Sequence, residues 1–242
     1  MPEPLTTDEF VAIVCAREIR AHDKVGVGVV SPVATAAALL AQRLHAPQAR
    51  YDVPRLARSY FRGSHEMTGY ANQGRVDVFF LSAAQVDARA SINLEYVGDS
   101  ASPKKRFFGA FAAPVYYATM RRIILFLPEH SPRVFVERVD RKTAVACSAA
   151  GFRRNGGIHR IVTPRAVLAY DASDQRLTLV SAHPGETIES VQAATGFQLR
   201  PDRSFGTTPL PTADELRLMR GEVRDVMAGL FPGWGSSPKT AE

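Results

Sequence analysis

A carboxylate beside a histidine is the first candidate for chemistry in this sequence. Glu66 directly follows His65, and a loop carboxylate next to an imidazole can act as an acid/base pair. Neighbouring residues often point apart, so a solvated pair on a loop is the structural alternative. His183, before Pro184-Gly185, is predicted to fix a turn by hydrogen bonding to the backbone.

A second group of polar residues follows an apolar stretch of chain. Gln85 and Asp87 come at the end of a predicted central strand, and Asn93 follows on the next turn. Because α/β proteins bind ligands at the ends of their strands, these three residues are predicted to line a site. Capping of the next element is the alternative, and it stays open.

Two glycines precede a predicted helix. Gly26 and Gly28 lie where backbone NH groups could approach an anion at a helix N-terminus. The third glycine of a dinucleotide fingerprint and the lysine of a P-loop are missing, so glycines that fit a tight turn explain the pattern equally well.

The first 44 residues predict a helix, a strand and a second helix. Thr6 and Glu9 form a capping box for a helix over residues 7 to about 20. Residues 25–30 are predicted as a short buried strand, and residues 32–44, which begin with proline, as the second helix.

Later segments predict a mostly parallel sheet with helices on both sides. Residues 76–82, apart from Asp77, and residues 122–127 form continuous apolar runs, which is typical of central strands buried on both faces. Short strands between residues 159 and 181 predict hairpins added to one end of the sheet. Residues 187–195 are predicted as a short helix closed by Gly196.

The end of the chain predicts one more helix. After a proline-rich link over residues 201–211, Thr212 and Glu215 form a second capping box. We therefore expect a single α/β domain over residues 1–232, with a C-terminal helix and a flexible tail over residues 233–242.

Several segments together resemble a known family. They are residues 25–32, 37–47 (AALLAQRLHAP), 74–87 (ending AAQVD), 92–93, 103–104, 135–140 (FVERVD) and 183–197 (from HPG to TGF). In this order, with the capped C-terminal helix, the sequence resembles the β subunit of family I CoA-transferases of the glutaconate CoA-transferase type. Related ring-cleaving acyl-CoA hydrolases share this resemblance. It implies the CoA-transferase (NagB/RpiA-like) fold, an α-type partner in an α2β2 heterotetramer, and an acyl-CoA pocket between subunits.

Composition excludes other classes of protein. No run of about 18 apolar residues occurs, so no membrane span is expected, and the acidic start is unlike a signal peptide, which predicts a cytoplasmic protein. Cys15 and Cys147 have no metal-ligand spacing, so no metal is expected. The net charge of +6 suits nucleic acid or the phosphates of coenzyme A, but the arginines are scattered, so nucleic acid is not expected.

The chain departs from the family at the nucleophile. In the family a β-subunit glutamate attacks the acyl-CoA carbonyl, and the enzyme passes through an anhydride to a glutamyl-CoA thioester. That glutamate lies about eight residues after a His-Ala-Pro segment, where residues 48–54 here read QARYDVP. The side chain of Asp52 is one carbon shorter than that of glutamate, and its position in the sequence is slightly shifted from that of the family's glutamate. Asp52 is therefore either a replacement nucleophile or a strand-end acid.

The second departure is a glycine-rich loop that in relatives closes over the thioester. Its counterpart, residues 109–115 (GAFAAPV), keeps Gly109 alone and is flanked by aromatic residues. A bulky apolar acyl group would suit such a lining, and the alternative is that these aromatics belong to the core or to a subunit interface.

Three functions remain open at this point. The first is CoA transfer between carboxylic acids, with coenzyme A as a substrate moiety and no tightly bound cofactor. The second is hydrolysis of a cyclic, steroid-ring-type acyl-CoA by a carboxylate on the α subunit, with backbone NH groups near Gly28 or Gly109 stabilising an oxyanion. The third is a scaffold subunit without chemistry of its own. Transfer ranks first because it is the commoner activity of the fold.

Overall fold

A computed structural model describes residues 4–28, 31–53, 62–107, 109–110, 112–147, 152 and 154–234 of the chain. The helices are α1 (Thr7–Ala16), α2 (Pro32–Leu44), α3 (Ser64–Asn72), α4 (Ala113–Thr119), α5 (Ile188–Ala193), α6 (Ala213–Leu218) and α7 (Arg224–Leu230). The strands are β1 (Lys24–Val27), β2 (Arg50–Asp52), β3 (Val78–Leu81), β4 (Gln85–Val86), β5 (Ile92–Asn93), β6 (Tyr96–Gly98), β7 (Pro103–Arg106), β8 (Arg122–Phe126), β9 (Gly157–Val162), β10 (Ala166–Asp171), β11 (Arg176–Ala182) and β12 (Arg200–Thr207).

Eight of these strands form one sheet in the order β12-β11-β10-β9-β8-β3-β1-β2. The five strands from β2 to β9 are parallel, β10 is antiparallel to both of its neighbours, and β12 is parallel to β11. Two separate two-stranded sheets, β4-β5 and β6-β7, follow β3 in the chain. The predicted α/β fold with added hairpins is therefore confirmed.

Helices cover both faces of the sheet, and alternate strand residues point to opposite sides. Val25 and Val27 of β1 belong to a core shared with α1, α2 and the C-terminal helices. Phe79 of β3 and Ile123 of β8 belong to a second core on the other face, with Met67 of α3 and residues of α4. Strands buried on both faces explain the continuous apolar runs in the sequence.

Salt bridges dock the C-terminal helices on α1. Arg17 contacts Glu215 at 2.7 Å, and Arg220 and Arg224 contact the buried carboxylate of Glu9 at 3.2 and 3.3 Å. Both predicted capping boxes are confirmed, because Glu9 and Glu215 also accept hydrogen bonds from the N-cap backbone NH groups. The same carboxylates thus begin a helix and hold two helices together.

Several predicted boundaries change. The first helix ends at Ala16 rather than near residue 20, and β1 ends at Val27, with residues 29–30 outside the described part. The proline-rich link is in fact mostly the edge strand β12, where Pro201 is tolerated. A π-helical turn over Met219–Val223 interrupts the last helix at Gly221.

The predicted role of Gly196 is wrong, since its φ is not positive. A methyl group on Gly196 would lie 2.5 Å from the carbonyl oxygen of Phe135, so the glycine permits close packing. Trp234 packs on the first core, two residues past the predicted domain end. The rest of the predicted tail, residues 235–242, lies outside the described residues.

Candidate functional site

The parallel half of the sheet contains a topological switch point. The order β2-β1-β3-β8-β9 means that the chain moves from β1 to the strand on one side of it, β2, and then crosses back to β3 on the other side. The chain that leaves β1 runs to one side of the sheet and the chain that leaves β3 runs to the other side, so the two connections diverge between β1 and β3. In open α/β sheets, ligands bind in the crevice at the carboxyl ends of strands at such a point.

A cleft of about 280 Å³ lies at this crevice. Ser82 follows β3, Phe126 ends β8 and Leu127 comes after it, and Pro164 follows β9. The other lining residues are Thr7, Asp8 and Val11 of α1, Pro32 and Val33 of α2, and Pro128. The walls are mainly apolar, and the volume is smaller than the 300–1,000 Å³ typical of a whole drug-sized ligand.

Asp8, an exposed residue, is the one acid among the described residues that line this cleft. It occupies the first turn of α1, where a negative charge is favoured by the helix dipole. Partial burial nevertheless raises the pKa of its carboxyl group. No lysine, arginine or histidine is found among the described lining residues, so the cleft presents one acidic group and otherwise neutral surface.

Asp52 lies at the carboxyl end of β2, on the face of the sheet covered by α3 and α4. It is paired in register with Gly26 and is 8% exposed. Its charge acts on Tyr116: burial raises the pKa of Tyr116, the hydrogen bond with Thr68 lowers it, and the nearby Asp52 carboxylate raises it further. Asp52 is therefore a buried acid whose charge acts on the Tyr116 hydroxyl.

Gly26 is a packing position. A methyl group there would lie 2.7 Å from Cδ2 of Phe79 and 3.1 Å from Sδ of Met67. The structure therefore brings two predicted site residues, Gly26 and Asp52, side by side, and it explains the glycine by close approach of the Phe79 ring.

Gly28 and Gly109 have different surroundings. A methyl group on Gly28 would lie 2.9 Å from Oγ of Ser31, the N-cap residue of α2. Gly109 has a φ of 92°, which favours glycine, and a methyl group there would meet no described atom within 4 Å. Their predicted contacts with a ligand stay predictions.

Gln85 and Asn93 face each other across the β4-β5 pair. Asn93 Nδ2 donates to Gln85 Oε1 at 2.7 Å, and Gln85 Nε2 donates to Asp140 Oδ2 at 3.0 Å. Asp140 Oδ2 also accepts from the backbone NH of Gly98. These side chains join β4, β5 and β6 to the segment after β8, which gives them a structural role.

Asp87 and Glu66 make local backbone contacts. Asp87 Oδ1 accepts from the backbone NH groups of Arg89 and Ser91 at 2.9 Å, so it closes a turn. Glu66 lies in helix α3 rather than on the predicted loop, and its Oε2 accepts from the backbone NH of Arg62 at 2.7 Å. Both carboxylates thus stabilise turns, and their roles in chemistry stay predictions.

Two buried histidines support the loops next to the cleft. His183 Nε2 donates to the carbonyl oxygen of Thr163, so the predicted bond to the backbone is present, but it holds the segment after β9 rather than the turn at Pro184-Gly185. His130 bonds the hydroxyls of Thr163 and Thr195 at 2.8 and 3.0 Å and stacks on Phe135. Burial lowers the pKa of His130 to about 4, so its ring is neutral. The histidines fix the segments after β8 and β9.

Sequence reasoning missed the cleft, Asp8 and His130. The cleft combines segments that are far apart in the chain, and Asp8 was noted only as an acid near the start. One signal was available: proline or serine directly after three apolar strands, at Ser82, Pro128 and Pro164.

Comparisons with known proteins agree with this fold. A family model described as coenzyme A transferase matches residues 25–194. The chain is 33% identical over 162 residues to one of the subunits of the 3-oxoadipate CoA-transferase of Pseudomonas knackmussii, covering 64% of this chain and 62% of the relative. The chain therefore spans less than two thirds of that relative's length.

A second relative is matched over almost the full chain. This is the cholesterol ring-cleaving hydrolase IpdB subunit of Mycobacterium tuberculosis, 26% identical over 242 residues, covering 90% of this chain and 94% of the relative.

None of the described helices is long and apolar enough to cross a bilayer.

Solved structures give the same architecture. A variant of the decarboxylase AibA/AibB is 25% identical with a TM-score of 0.79, covering 92% of this chain and 99% of the other. The glutaconate coenzyme A-transferase of Acidaminococcus fermentans, 22% identical with a TM-score of 0.80, covers 90% and 94% and shares the fold.

Proposed function

Because this chain belongs to the coenzyme A transferase family, as a β-type subunit, we propose that it works with an α-type subunit as an enzyme that transfers coenzyme A between carboxylic acids. The relatives are named as subunits of enzymes with two kinds of chain, which supports the partner. We propose an α2β2 assembly, and coenzyme A as a moiety of the substrate rather than a resident cofactor.

Asp52 carries the proposal. Transfer requires a carboxylate that can accept an acyl group, and Asp52 is a buried carboxylate at the carboxyl end of a parallel strand. The other buried acids among the described residues have structural partners: Glu9 and Glu215 sit at helix starts, and Asp23 precedes β1 at the opposite end of the sheet. Asp87 is also buried, and it closes a turn through the backbone NH groups of Arg89 and Ser91.

The proposed reaction has four balanced steps. Asp52 attacks the acyl-CoA carbonyl and expels the CoA thiolate, which leaves a mixed anhydride. The thiolate attacks the aspartyl carbonyl and releases the first carboxylate, which leaves an aspartyl-CoA thioester. A second carboxylate attacks that thioester and expels the thiolate again. The thiolate then attacks the substrate carbonyl of the new anhydride, which yields the new acyl-CoA and restores Asp52.

Gln85, Asp87, Asn93, Glu66 and the glycines support this proposal indirectly. The hydrogen bonds of Gln85, Asp87 and Asn93 hold the segments around β4 and β5, and that of Glu66 holds the start of α3. We propose that Gly28 and Gly109 leave backbone NH groups accessible to the thioester oxygen.

A second function is favoured by one specific observation. Residues 48–65 contain no glutamate, and the matched ring-cleaving hydrolase subunit covers most of this chain. In that case the complex hydrolyses a cyclic acyl-CoA, the catalytic carboxylate belongs to the α subunit, and this chain contributes the cleft. A scaffold without chemistry predicts that no residue of this chain changes the rate.

Trapping tests the assignment of Asp52. The assembled complex is incubated with an acyl-CoA and then with borohydride, which reduces an aspartyl thioester to the alcohol, and the modified peptide is identified by mass spectrometry. Transfer through this chain predicts reduction at Asp52. Reduction on the partner, or ring-opened product that keeps its CoA, would contradict it.

Two variants sharpen the result. Asp52→Asn removes the nucleophile and should lower the transfer rate at least about 1,000-fold, since it removes the covalent step. Asp52→Glu keeps a carboxylate and should retain more activity than Asp52→Asn. Asp214→Asn, an equal charge change at an exposed position of α6, is the control.

A further inference from the structure

A row of paired residues crosses four strands of the sheet and ends at Asp52. Asp52 of β2 pairs with Gly26 of β1, and Gly26 pairs with Phe79 of β3. Phe79 in turn pairs with Ile123 of β8. Residues paired in register point to the same face of a sheet. Because Phe79 and Ile123 belong to the core under α3 and α4, the Asp52 side chain lies on that face as well.

Tyr116 of α4 packs on this row. Its ring is 3% exposed and lies against the Phe79 ring, with the two centroids 4.7 Å apart. Its hydroxyl lies 3.2 Å from Oγ1 of Thr68, on the neighbouring helix α3. The phenol is therefore held by its ring on one side and by its hydroxyl on the other.

The glycine beside Asp52 brings this phenol close to the carboxylate. Because residue 26 has no side chain, the Phe79 ring approaches the backbone that pairs with Asp52, and Tyr116 follows that ring. Burial raises the pKa of Tyr116, the bond with Thr68 lowers it, and the Asp52 charge raises it. The phenol thus keeps its hydrogen at neutral pH and feels the charge of Asp52.

The next residue of α4 has different partners. Tyr117 donates its hydroxyl hydrogen to the carbonyl oxygen of Ala90 at 3.3 Å. Burial raises the pKa of Tyr117, the Asp87 charge raises it further, and Arg154 lowers it. Two adjacent buried phenols therefore respond to different carboxylates, and Tyr117 provides a matched control for Tyr116.

The other ionisable groups of α3 have surroundings of their own. His65 and Glu66 are exposed, and Glu66 accepts from the backbone NH of Arg62. The Tyr70 ring lies under the guanidinium of Arg75, 4.4 Å from its centroid. Among the described groups, Asp52 is the carboxylate whose charge acts on the Tyr116 phenol.

Resting on the proposed function, we propose that Tyr116 is a positioning residue for Asp52. Its phenol hydrogen is directed at the carboxylate and stabilises the anion that attacks the acyl-CoA carbonyl, and Thr68 holds the phenol in that direction. A hydrogen-bond donor near a carboxylate favours the charged form, and the charged form is the nucleophile. Tyr116 acts through Asp52 and does not contact the substrate.

Nuclear magnetic resonance tests the coupling without measuring activity. Tyrosine labelled with ¹³C at Cζ is incorporated into this chain of the assembled complex, and the Tyr116 signal is identified by its loss in Tyr116→Phe. The signal should move as the pH falls from about 7 towards 4, where carboxylates take up protons. Asp52→Asn should abolish this movement. Asp214→Asn, at an exposed position, should preserve it.

Kinetics test the effect on the reaction. Tyr116→Phe keeps the ring that packs on Phe79 and removes the hydroxyl. The kcat for transfer should fall at least about 10-fold, while the KM for acyl-CoA changes less than about twofold. The acid limb of kcat should also move to higher pH, because the neutral form of Asp52 is favoured. Thr68→Val should act in the same direction, and Thr68→Ser should restore the rate. Tyr117→Phe should change kcat less than about twofold.

The outcomes separate this inference from the proposed function. If Asp52→Asn abolishes transfer but Tyr116→Phe has the wild-type kcat and acid limb, the positioning role is wrong and transfer through Asp52 stands. The role is also wrong if the Tyr116 signal moves with pH in Asp52→Asn as it does in the wild type. If Asp52→Asn transfers at the wild-type rate, the proposed function is wrong and this inference falls with it.

Discussion

Replacing Gly26 by alanine decides whether this glycine serves packing or ligand binding. The added methyl group would lie 2.7 Å from Cδ2 of Phe79 and 3.1 Å from Sδ of Met67. The Phe79 ring is 3% exposed and packs on Tyr116 with ring centroids 4.7 Å apart, so it has little room to move. Overpacking of this kind costs about 1–3 kcal/mol.

The unfolded chain offsets part of this cost. Alanine has less backbone freedom than glycine in the unfolded chain, which stabilises the folded state by about 0.5–1 kcal/mol. The net loss of unfolding free energy is therefore roughly 0.5–2 kcal/mol. With a urea m-value of about 2 kcal/mol/M, the midpoint of unfolding should fall by about 0.25–1 M.

Urea unfolding followed by circular dichroism measures this shift. Gly229→Ala is the matched control, because a methyl group there meets no described atom within 4 Å and alanine is the better helix former, so its midpoint should rise or stay. In the Phe79→Leu background the cost of Gly26→Ala should shrink by at least half. An unchanged midpoint together with a raised KM for acyl-CoA would refute the packing explanation in favour of a ligand-contacting glycine.

Three further predictions concern stability. Burial opposes ionisation of Glu9, but the backbone NH of Thr6 and the guanidinium of Arg220 outweigh it and lower the pKa of Glu9 below 4.5. The stabilisation that Glu9 gives the folded chain is therefore present above pH 4.5 and is lost as the pH falls through the folded pKa. Glu9→Gln should make the melting temperature depend less on pH in this acidic range. His130 has a pKa lowered by burial to about 4, so the unfolded chain binds the proton first and stability falls as the pH drops from about 6.5 towards 4; a ring titrating near 6.5 by NMR would contradict this. Gly156→Ala would place a methyl group 2.1 Å from the carbonyl oxygen of Arg121 and should prevent soluble expression, whereas Gly157→Ala next to it meets no described atom within 4 Å and should express normally.

Local signals in the sequence predicted the helix starts well. The capping boxes at Thr6 and Thr212 depend on residues three apart, and α2 has its predicted bounds because proline can occupy the first helical turn. The apolar strands β3 and β8 were predicted because both of their faces are buried. Edge strand β12 was missed, since its exposed polar residues and Pro201 read as a linker.

The candidate site was less predictable. Gln85 and Asn93 were predicted as lining because they follow an apolar strand, but only the structure shows that they bond each other across β4 and β5. The cleft depends on the order of strands in the sheet, which places residues after β3, β8 and β9 beside α1. No local pattern contains that order. Residues 54–61, which follow Asp52, lie outside the described part of the chain.

Oxygen labelling tests the proposed transfer most directly. The assembled complex is given unlabelled acyl-CoA and an acceptor acid labelled with ¹⁸O in its carboxylate. Attack through an anhydride leaves one acceptor oxygen on the enzyme carboxylate, and the next cycle passes it to the released donor acid. We expect ¹⁸O from the acceptor in the donor acid; in a parallel reaction with unlabelled acids in ¹⁸O-water, we expect no label in it. A donor acid that takes its new oxygen only from the labelled water would contradict transfer.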